Sequence, residues 1–309
     1  MGARGVLAEQ RSWARTARTI RRNARVDPVI EGQPLVSVVL ATYNWSSVLR
    51  HSVRSVLWQT YPNLELVVVG DGCTDDSEDV VASFGDERAR WQNLAANSGS
   101  QATPNNAGLD LATGEYVAYQ GHDDVWHPRH LAAMLAYLQS TGADFAHSLA
   151  EVLGPPGSGV RFLSGMVAGP DIPRGRWFAP TSIVHRIKLA RRIGGWLTWE
   201  EAGGPPDVDF VDRVSASGAR RIRVPAMTAF KFPSSLRTNV YRDRPSHEQE
   251  AYMRRIESER FFIERELAAL TLGRLFPPDE RLTREEPSES ERVDPRAQQA
   301  WLRRVRGLD

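Results

Sequence analysis

His122, Asp123 and Asp124 stand together in the stretch Glu115–Pro128, three side chains able to hold a cation or a sugar hydroxyl. The residues before them, Tyr116 to Gln120, are apolar and aromatic enough to favour a pleated, half-buried strand. Gly121 breaks that strand, and Pro128 stands where a following helix would begin, a position that tolerates its missing N–H. A strand that ends in carboxylates and precedes a helix presents them at the carboxyl edge of a sheet. Open α/β sheets bind their ligands at that edge. An acidic turn that merely caps a helix is the competing reading, and the elements upstream decide between the two.

Leu35–Thr42 is a β-branched run of the length of a buried parallel strand, and it ends in Thr42-Tyr43-Asn44. Val48, Leu49, Ser52, Val53, Val56 and Leu57 then recur at helical spacing, with Ser46 and Ser47 suited to cap them. Leu64–Gly70 is a second buried-type strand ending in Asp71-Gly72. Asp75, Asp76 or Ser77 can cap the next helix, whose first turn holds Glu78 and Asp79. A weaker strand near 91–95 leads to Asn97, and a helix over 103–113 leads back to the opening strand. This alternation predicts a parallel sheet with right-handed crossovers. Four polar clusters then share one edge, which favours a ligand site over a capping turn.

Several ligand classes are excluded. The phosphate loop GxxxxGK[ST] is absent, and where GxGxxG would follow the first strand the chain reads Ala41-Thr-Tyr-Asn-Trp-Ser46. Carboxylates repel phosphates, but they can hold Mg²⁺ or Mn²⁺ that bridges to a diphosphate. A nucleotide diphosphate held through a metal is the economical reading. The chain of 309 residues suits one large domain or a domain with appendages. Its net charge of +1 speaks against a nucleic-acid partner. The single Cys73 excludes an intrachain disulfide or a cysteine-cluster zinc site and reads as a small turn residue. Without an apolar run near ~18 residues or a secretory core, a cytoplasmic location is the expectation. In residues 1–33, Arg11, Arg15, Arg18, Arg22 and Arg25 would stripe one helix face. Such an arm is either solvated or a peripheral contact with the anionic inner face of a membrane, worth ~1 kcal/mol per basic residue.

Val36–Asn44 resembles the opening strand of the family 2 glycosyltransferases, and Ser55–Asp75 follows that family's second motif. Asn97-Ser-Gly99 and Asn106–Tyr116 match the approach to its metal motif. The resemblance covers roughly residues 34–240. It implies the GT-A fold, an α/β architecture with a Rossmann-like, mostly parallel sheet flanked by helices. Residues 34–124 would be the nucleotide-binding half and 125–240 the acceptor half. The implied reaction moves a sugar from a nucleotide-diphosphate sugar to the hydroxyl of a glycan, lipid-carrier or other acceptor, as in cell-envelope polysaccharide synthesis. Asp71 would bond the base, with Thr42, Tyr43, Asn44, Asn97, Asn106 and His122 around the nucleotide. Asp123, with Asp124 beside it, would ligate Mg²⁺ or Mn²⁺. Pro206-Asp207-Val-Asp209 matches the acidic motif and gives the catalytic base to Asp207. One base with one leaving group displaced directly inverts the anomeric centre.

The family usually has Asp where Gly70 and Gly121 stand, an Arg near Asn105, and Ser in place of Cys73. His122 could take over a ribose or metal contact from the missing first carboxylate. Two other readings stay open: a catalytically inactive relative that binds nucleotide or glycan, and a nucleotidyltransferase, which would leave Asp207 without a task.

Beyond Phe145 the regular alternation fades, and Gly154–Gly159 and Gly165–Arg176 read as loops. Phe230–Arg244 reads as a cationic flap, with Lys231, Arg237 and Arg242 closing on the diphosphate and Asp209 as a further diphosphate or acceptor contact. Residues 241–309 form a helical C-terminal extension. Ser246-His-Glu-Gln249 reads as a capping box opening one helix to about Leu275. Its stripe of Tyr252, Ile256, Phe261, Leu267 and Leu270 serves packing or a homo-oligomer contact. Residues 277–297 read as a flexible linker and Trp301–Val305 as a last basic turn.

Overall fold

The computed structural model describes residues 30–166, 175–275, 288 and 294–308. The arginine stripe of residues 11–25 and most of the expected linker at 277–297 lie outside the described residues.

Four strands carry the first half: β1 (Val36–Thr42), β2 (Leu64–Gly70), β3 (Ala89–Asn93) and β4 (Tyr116–Gly121). They pair in parallel in the order β3-β2-β1-β4. Crossovers run through α1 (Ser46–Leu57), α2 (Ser77–Ala82) and α3 (Ala102–Leu111). The pleat sends Val36, Val38 and Leu40 of β1 into one core and Val39 into another on the opposite face. A strand buried on both faces must be apolar at successive positions, which is why β1 and β2 read as continuous β-branched runs. Helix α1 covers the first core with Leu49, Val53 and Val56.

The second half adds β5 (Val125–Trp126), β6 (Phe145–Leu153), β7 (Arg161–Ser164), β8 (Ile183–Arg186) and β9 (Arg221–Lys231). The nine-stranded sheet runs β3-β2-β1-β4-β8-β6-β9-β5, with β7 on β6. Here β8 is antiparallel to both β4 and β6, β5 is antiparallel to β9, and only β6 with β9 is parallel. The sheet is thus wholly parallel in the nucleotide half and mixed beyond it. Helices α4 (His130–Thr141), α5 (Ile187–Arg192), α6 (Trp199–Ala202), α7 (Pro206–Ala216) and α8 (Val240–Asp243) complete this part.

The C-terminal part corrects three expectations. The helix expected to run to Leu275 is two, α9 (His247–Ser258) and α10 (Phe262–Leu275), with an extended Glu259 between them. Ser246 makes no side-chain cap bond, so the capping box does not form. The break folds the apolar stripe inward: Ile256, Leu267 and Leu270 join Phe230 and Leu149 of the sheet in one core. Finally, Trp301–Val305 belongs to a full helix, α11 (Pro295–Arg306), rather than to a basic turn. Among the described residues no helix is long and apolar enough to cross a membrane.

Candidate active site

A cavity of about 1040 Å³ opens at the carboxyl edge of the parallel strands, lined by Thr42, Tyr43, Asp71, Asn97, His122, Asp123 and Asp124. The edge clusters expected from the sequence therefore converge. Asp71 continues β2, its N–H bonding the Thr42 carbonyl at 2.8 Å. Its carboxylate accepts from Asn97 Nδ2 and from the Ser98 N–H, each at 3.0 Å. Burial pushes the Asp71 carboxyl upward, against the lowering effect of the Ser98 bonds. Gly72, at φ +70°, permits this closure, because a Cβ there would lie 2.4 Å from the Asn97 nitrogen.

Two expected nucleotide contacts turn out to position the site instead. Asn44 does not line the cavity. Its side chain accepts the Thr74 N–H at 2.7 Å and pins the turn after β2. Asn106 exchanges two 2.8 Å hydrogen bonds with the Trp196 backbone and holds α3 to the loop before α6. Its neighbour Asn105 lines the cavity in its place.

His122 is likewise committed. Its Nδ1 lies 3.0 Å from Thr42 Oγ1 and its Nε2 3.0 Å from the Tyr241 hydroxyl. The Trp45 ring packs edge-on against it at 5.4 Å. Burial lowers its pKa, so the ring is neutral near pH 7. With both nitrogens occupied, the expected metal or ribose contact gives way to a brace between β1 and α8.

Asp124 is not a free metal ligand either. Lys231 Nζ sits 3.1 Å from its Oδ2, and the Phe232 N–H donates to its Oδ1 at 3.1 Å. Burial pushes the Asp124 carboxyl up to about 6, although Lys231 opposes the shift. For Lys231, burial is outweighed by Asp124 and Asp123, so it stays protonated and the pair is ionised at neutral pH. The missing family carboxylate has a steric cause. A Cβ on Gly121 would stand 2.6 Å from Asp124 Oδ2, so the Asp124 carboxylate fills the space a side chain at 121 would need. Gly70 departs for a similar reason, since its Cβ would meet Asn93 Oδ1 at 2.6 Å and the Trp91 ring at 2.7 Å.

Asp123 lines the same cavity, and among the described residues its carboxylate makes no hydrogen bond, while its backbone carbonyl accepts from Gln249 Nε2 at 3.0 Å. Mg²⁺ is commonly held by one or two carboxylates together with substrate phosphates and water. Among the described residues no group of three ligands could hold an ion alone. The donor set therefore fits a metal that arrives with a diphosphate and takes Asp123 as its protein ligand.

Asp207 lies across the cavity in the first turn of α7, which Pro205 and Pro206 open. Trp177 Nε1 donates to its Oδ2 at 2.6 Å and the Val208 N–H to its Oδ1 at 3.1 Å. Burial raises its pKa in spite of both bonds, moving it toward the range useful to a base near neutral pH. Asp209, two residues on and so on another side of the helix, pairs with Arg213 at 2.6 Å and does not line the cavity.

The cationic flap does not form. Lys231 ends β9 and faces the cavity, but Arg237 is buried, bonding Glu248 at 2.6 Å and the Leu153 carbonyl at 3.2 Å. Arg242 is two-thirds exposed and pairs with Asp243 at 3.3 Å, off the cavity. Lining residues that had not been anticipated include Trp177, Tyr241 and, on α11, Arg303 and Arg306. The first two carry no local signal. Helix α11 did, with Asp294 as N-cap, Pro295 at the first position and a left-handed Gly307 behind it.

A family model, glycosyl transferase family 2, matches residues 37–151. The putative teichuronic acid biosynthesis glycosyltransferase TuaG of Bacillus subtilis is 32% identical over 169 residues, covering 54% of this chain and 61% of that protein. The chain spans about a third of the length of several other curated relatives it matches. Among solved structures, Staphylococcus aureus TarS 1–349 in complex with UDP-GlcNAc has TM-score 0.56 at 20% identity, covering 76% of this chain and 71% of that one. The mannosyltransferase PcManGT of Pyrobaculum calidifontis, solved with GDP-Man and Mn²⁺, has TM-score 0.53 at 17% identity, covering 88% and 86%. The fold is the GT-A glycosyltransferase fold. Residues 37–151 carry its parallel half and the carboxylate edge, and it is this stretch that matches the glycosyl transferase family 2 model.

Proposed function

We propose that residues 34–240 transfer a sugar from a nucleotide-diphosphate sugar to an acceptor hydroxyl with inversion. The observation that carries this reading is the pairing, across one cavity, of a buried, Trp177-anchored Asp207 with the Asp71 and Asp123 edge. In this scheme Asp71 recognises the base. Asp207 takes the proton of the acceptor hydroxyl as its oxygen attacks the anomeric carbon. The bond from that carbon to the diphosphate oxygen breaks on the opposite face, and the centre inverts. Lys231, held at the end of β9, adds positive potential near the departing diphosphate. A Mg²⁺ or Mn²⁺ ion held by Asp123 would neutralise further charge there.

The related structures, one holding UDP-GlcNAc and the other GDP-Man with Mn²⁺, support a nucleotide-sugar donor and a divalent ion. The name of the teichuronic acid relative favours a cell-envelope glycan as acceptor. Hydrolysis of a panel of UDP- and GDP-sugars, with and without Mn²⁺, tests the reading. Metal-dependent turnover of at least one donor is expected. Nucleotide binding without turnover would favour an inactive binding protein, and no binding of any donor would remove the donor assignment.

A further inference from the structure

Helix α11 lies far beyond the family-matched residues 37–151, yet it walls the same cavity. The chain positions it at both ends. Asp294 accepts the Arg296 N–H at 3.1 Å and starts the helix. Near the other end the Asn239 N–H bonds the Val305 carbonyl at 2.8 Å, next to Tyr241. Between these points Gln299 Nε2 reaches the Gly99 carbonyl at 3.4 Å, beside the loop that closes on Asp71. Trp301 is buried, which anchors the helix laterally. Gln298, Trp301, Leu302 and Arg306 recur three, four and eight residues apart, so one helix face looks into the cavity.

Helix α11 brings two arginines to the cavity: Arg303, whose Nη2 donates to the Leu308 carbonyl at 3.3 Å, and Arg306 at the inner end. The Arg306 Nε is buried and, among the described residues, has no hydrogen-bond partner. Its charge reaches His122 and Tyr241, opposing protonation of the one and favouring ionisation of the other. Native proteins seldom leave a buried donor unmet unless a ligand or water meets it. The surrounding charge says what kind of ligand. Asp71, Asp123, Asp124 and Asp207 all line the cavity, and Lys231 is already paired with Asp124. A donor carrying two or three negative charges entering this space needs further cations. A guanidinium, with its planar fork of donors, suits phosphate oxygens better than a point charge does.

We propose that Arg306 binds the diphosphate of the nucleotide donor, so that α11 completes the donor site from outside the family-matched stretch. This rests on the nucleotide-sugar reading above and adds a residue and an element to it. The consequence is that a chain ending before α11 retains the Asp71 and Asp123 edge but loses diphosphate affinity.

Calorimetric titration of the full chain with UDP, GDP, uridine and guanosine, in Mn²⁺, tests the assignment. In the wild-type protein at least one diphosphate binds more tightly than its nucleoside. Arg306→Gln should weaken that diphosphate by roughly 10- to 100-fold, the range of a hydrogen bond to a charged partner, and leave the nucleoside nearly unchanged. Arg306→Lys should fall between the two. Equal diphosphate affinity in Arg306→Gln and wild type would overturn the proposal, as would a parallel loss for nucleoside and diphosphate. If Arg306→Gln does not melt cooperatively, the ratio in Arg306→Lys decides in the same way. Failure of every nucleotide to bind wild-type protein would instead sink the donor reading itself, so the two failures are distinct.

Discussion

Replacing Gly121 by aspartate restores the carboxylate that family 2 sequences usually carry there, and the packing around it turns that restoration into a loss. The new Cβ would lie 2.6 Å from Asp124 Oδ2 and 3.0 Å from its Cγ. Ordinary non-bonded contacts between carbons need ~3.5 Å or more. Asp124 cannot swing aside, because it is 1% exposed and its two oxygens are held by Lys231 and the Phe232 N–H. Overpacking of this kind costs about 1–3 kcal/mol. At about 2–4 °C per kcal/mol for a protein of this general size, the melting temperature should drop by several degrees. Gly121→Ala isolates the steric part, and Gly121→Asp adds a third carboxylate beside one lysine. The double variant Gly121→Asp/Asp124→Gly clears the contested space and lets residue 121 meet Lys231. It should recover much of what Gly121→Asp alone loses. Thermal melts followed by circular dichroism give the comparison. A Gly121→Asp protein melting with the wild type, or a double variant no better than the single one, would refute the reasoning.

Other perturbations separate the site from its supports. Trp177→Phe removes a bond that stabilises the ionised Asp207, so its pKa should rise further. The acidic limb of the kcat/KM profile should then move to higher pH, and an unmoved limb would contradict the role of that bond. Arg237→Ala breaks a buried pair with Glu248 and should cost about 3–5 kcal/mol of stability, while exposed Arg242→Ala should stay within about 0.5 kcal/mol. Chemical denaturation distinguishes them, and equal effects would reopen the flap. Because Asp123 offers one carboxylate, Mn²⁺ should bind weakly to the protein alone and more tightly with UDP or GDP present; calorimetry showing equal affinity would contradict this.

The nucleotide half was legible because its chemistry is local. Strands buried on both faces are apolar at successive positions, and each hands over to polar residues at one edge, so β1, β2 and β4 and the convergence of Asp71 with Asp123 could be read directly. The roles of individual side chains depended on partners far along the chain. His122 looks like a free imidazole until Tyr241, 119 residues on, takes its second nitrogen. Asp124 looks like a ligand until Lys231, 107 residues on, neutralises it. Strand β6 is buried at all nine positions and shows no alternation around His147, Ser148 and Glu151, so it passed as irregular chain. Strand β9 carries Arg221, Arg223, Pro225 and Lys231 among its apolar residues, so it shows no clean strand period, and the expected flap from Phe230 overlaps only its last two residues. Helix α11 had readable caps, but nothing in its sequence tells that its inner face meets the cavity.

Asp207 is where the account can fail most plainly. Single-turnover transfer from a bound nucleotide-sugar, with donor affinity measured in parallel, compares wild type with Asp207→Asn. The account predicts a rate lower by roughly 10²- to 10⁴-fold, the range for loss of a general base, with donor affinity little changed. Transfer at the wild-type rate would contradict it.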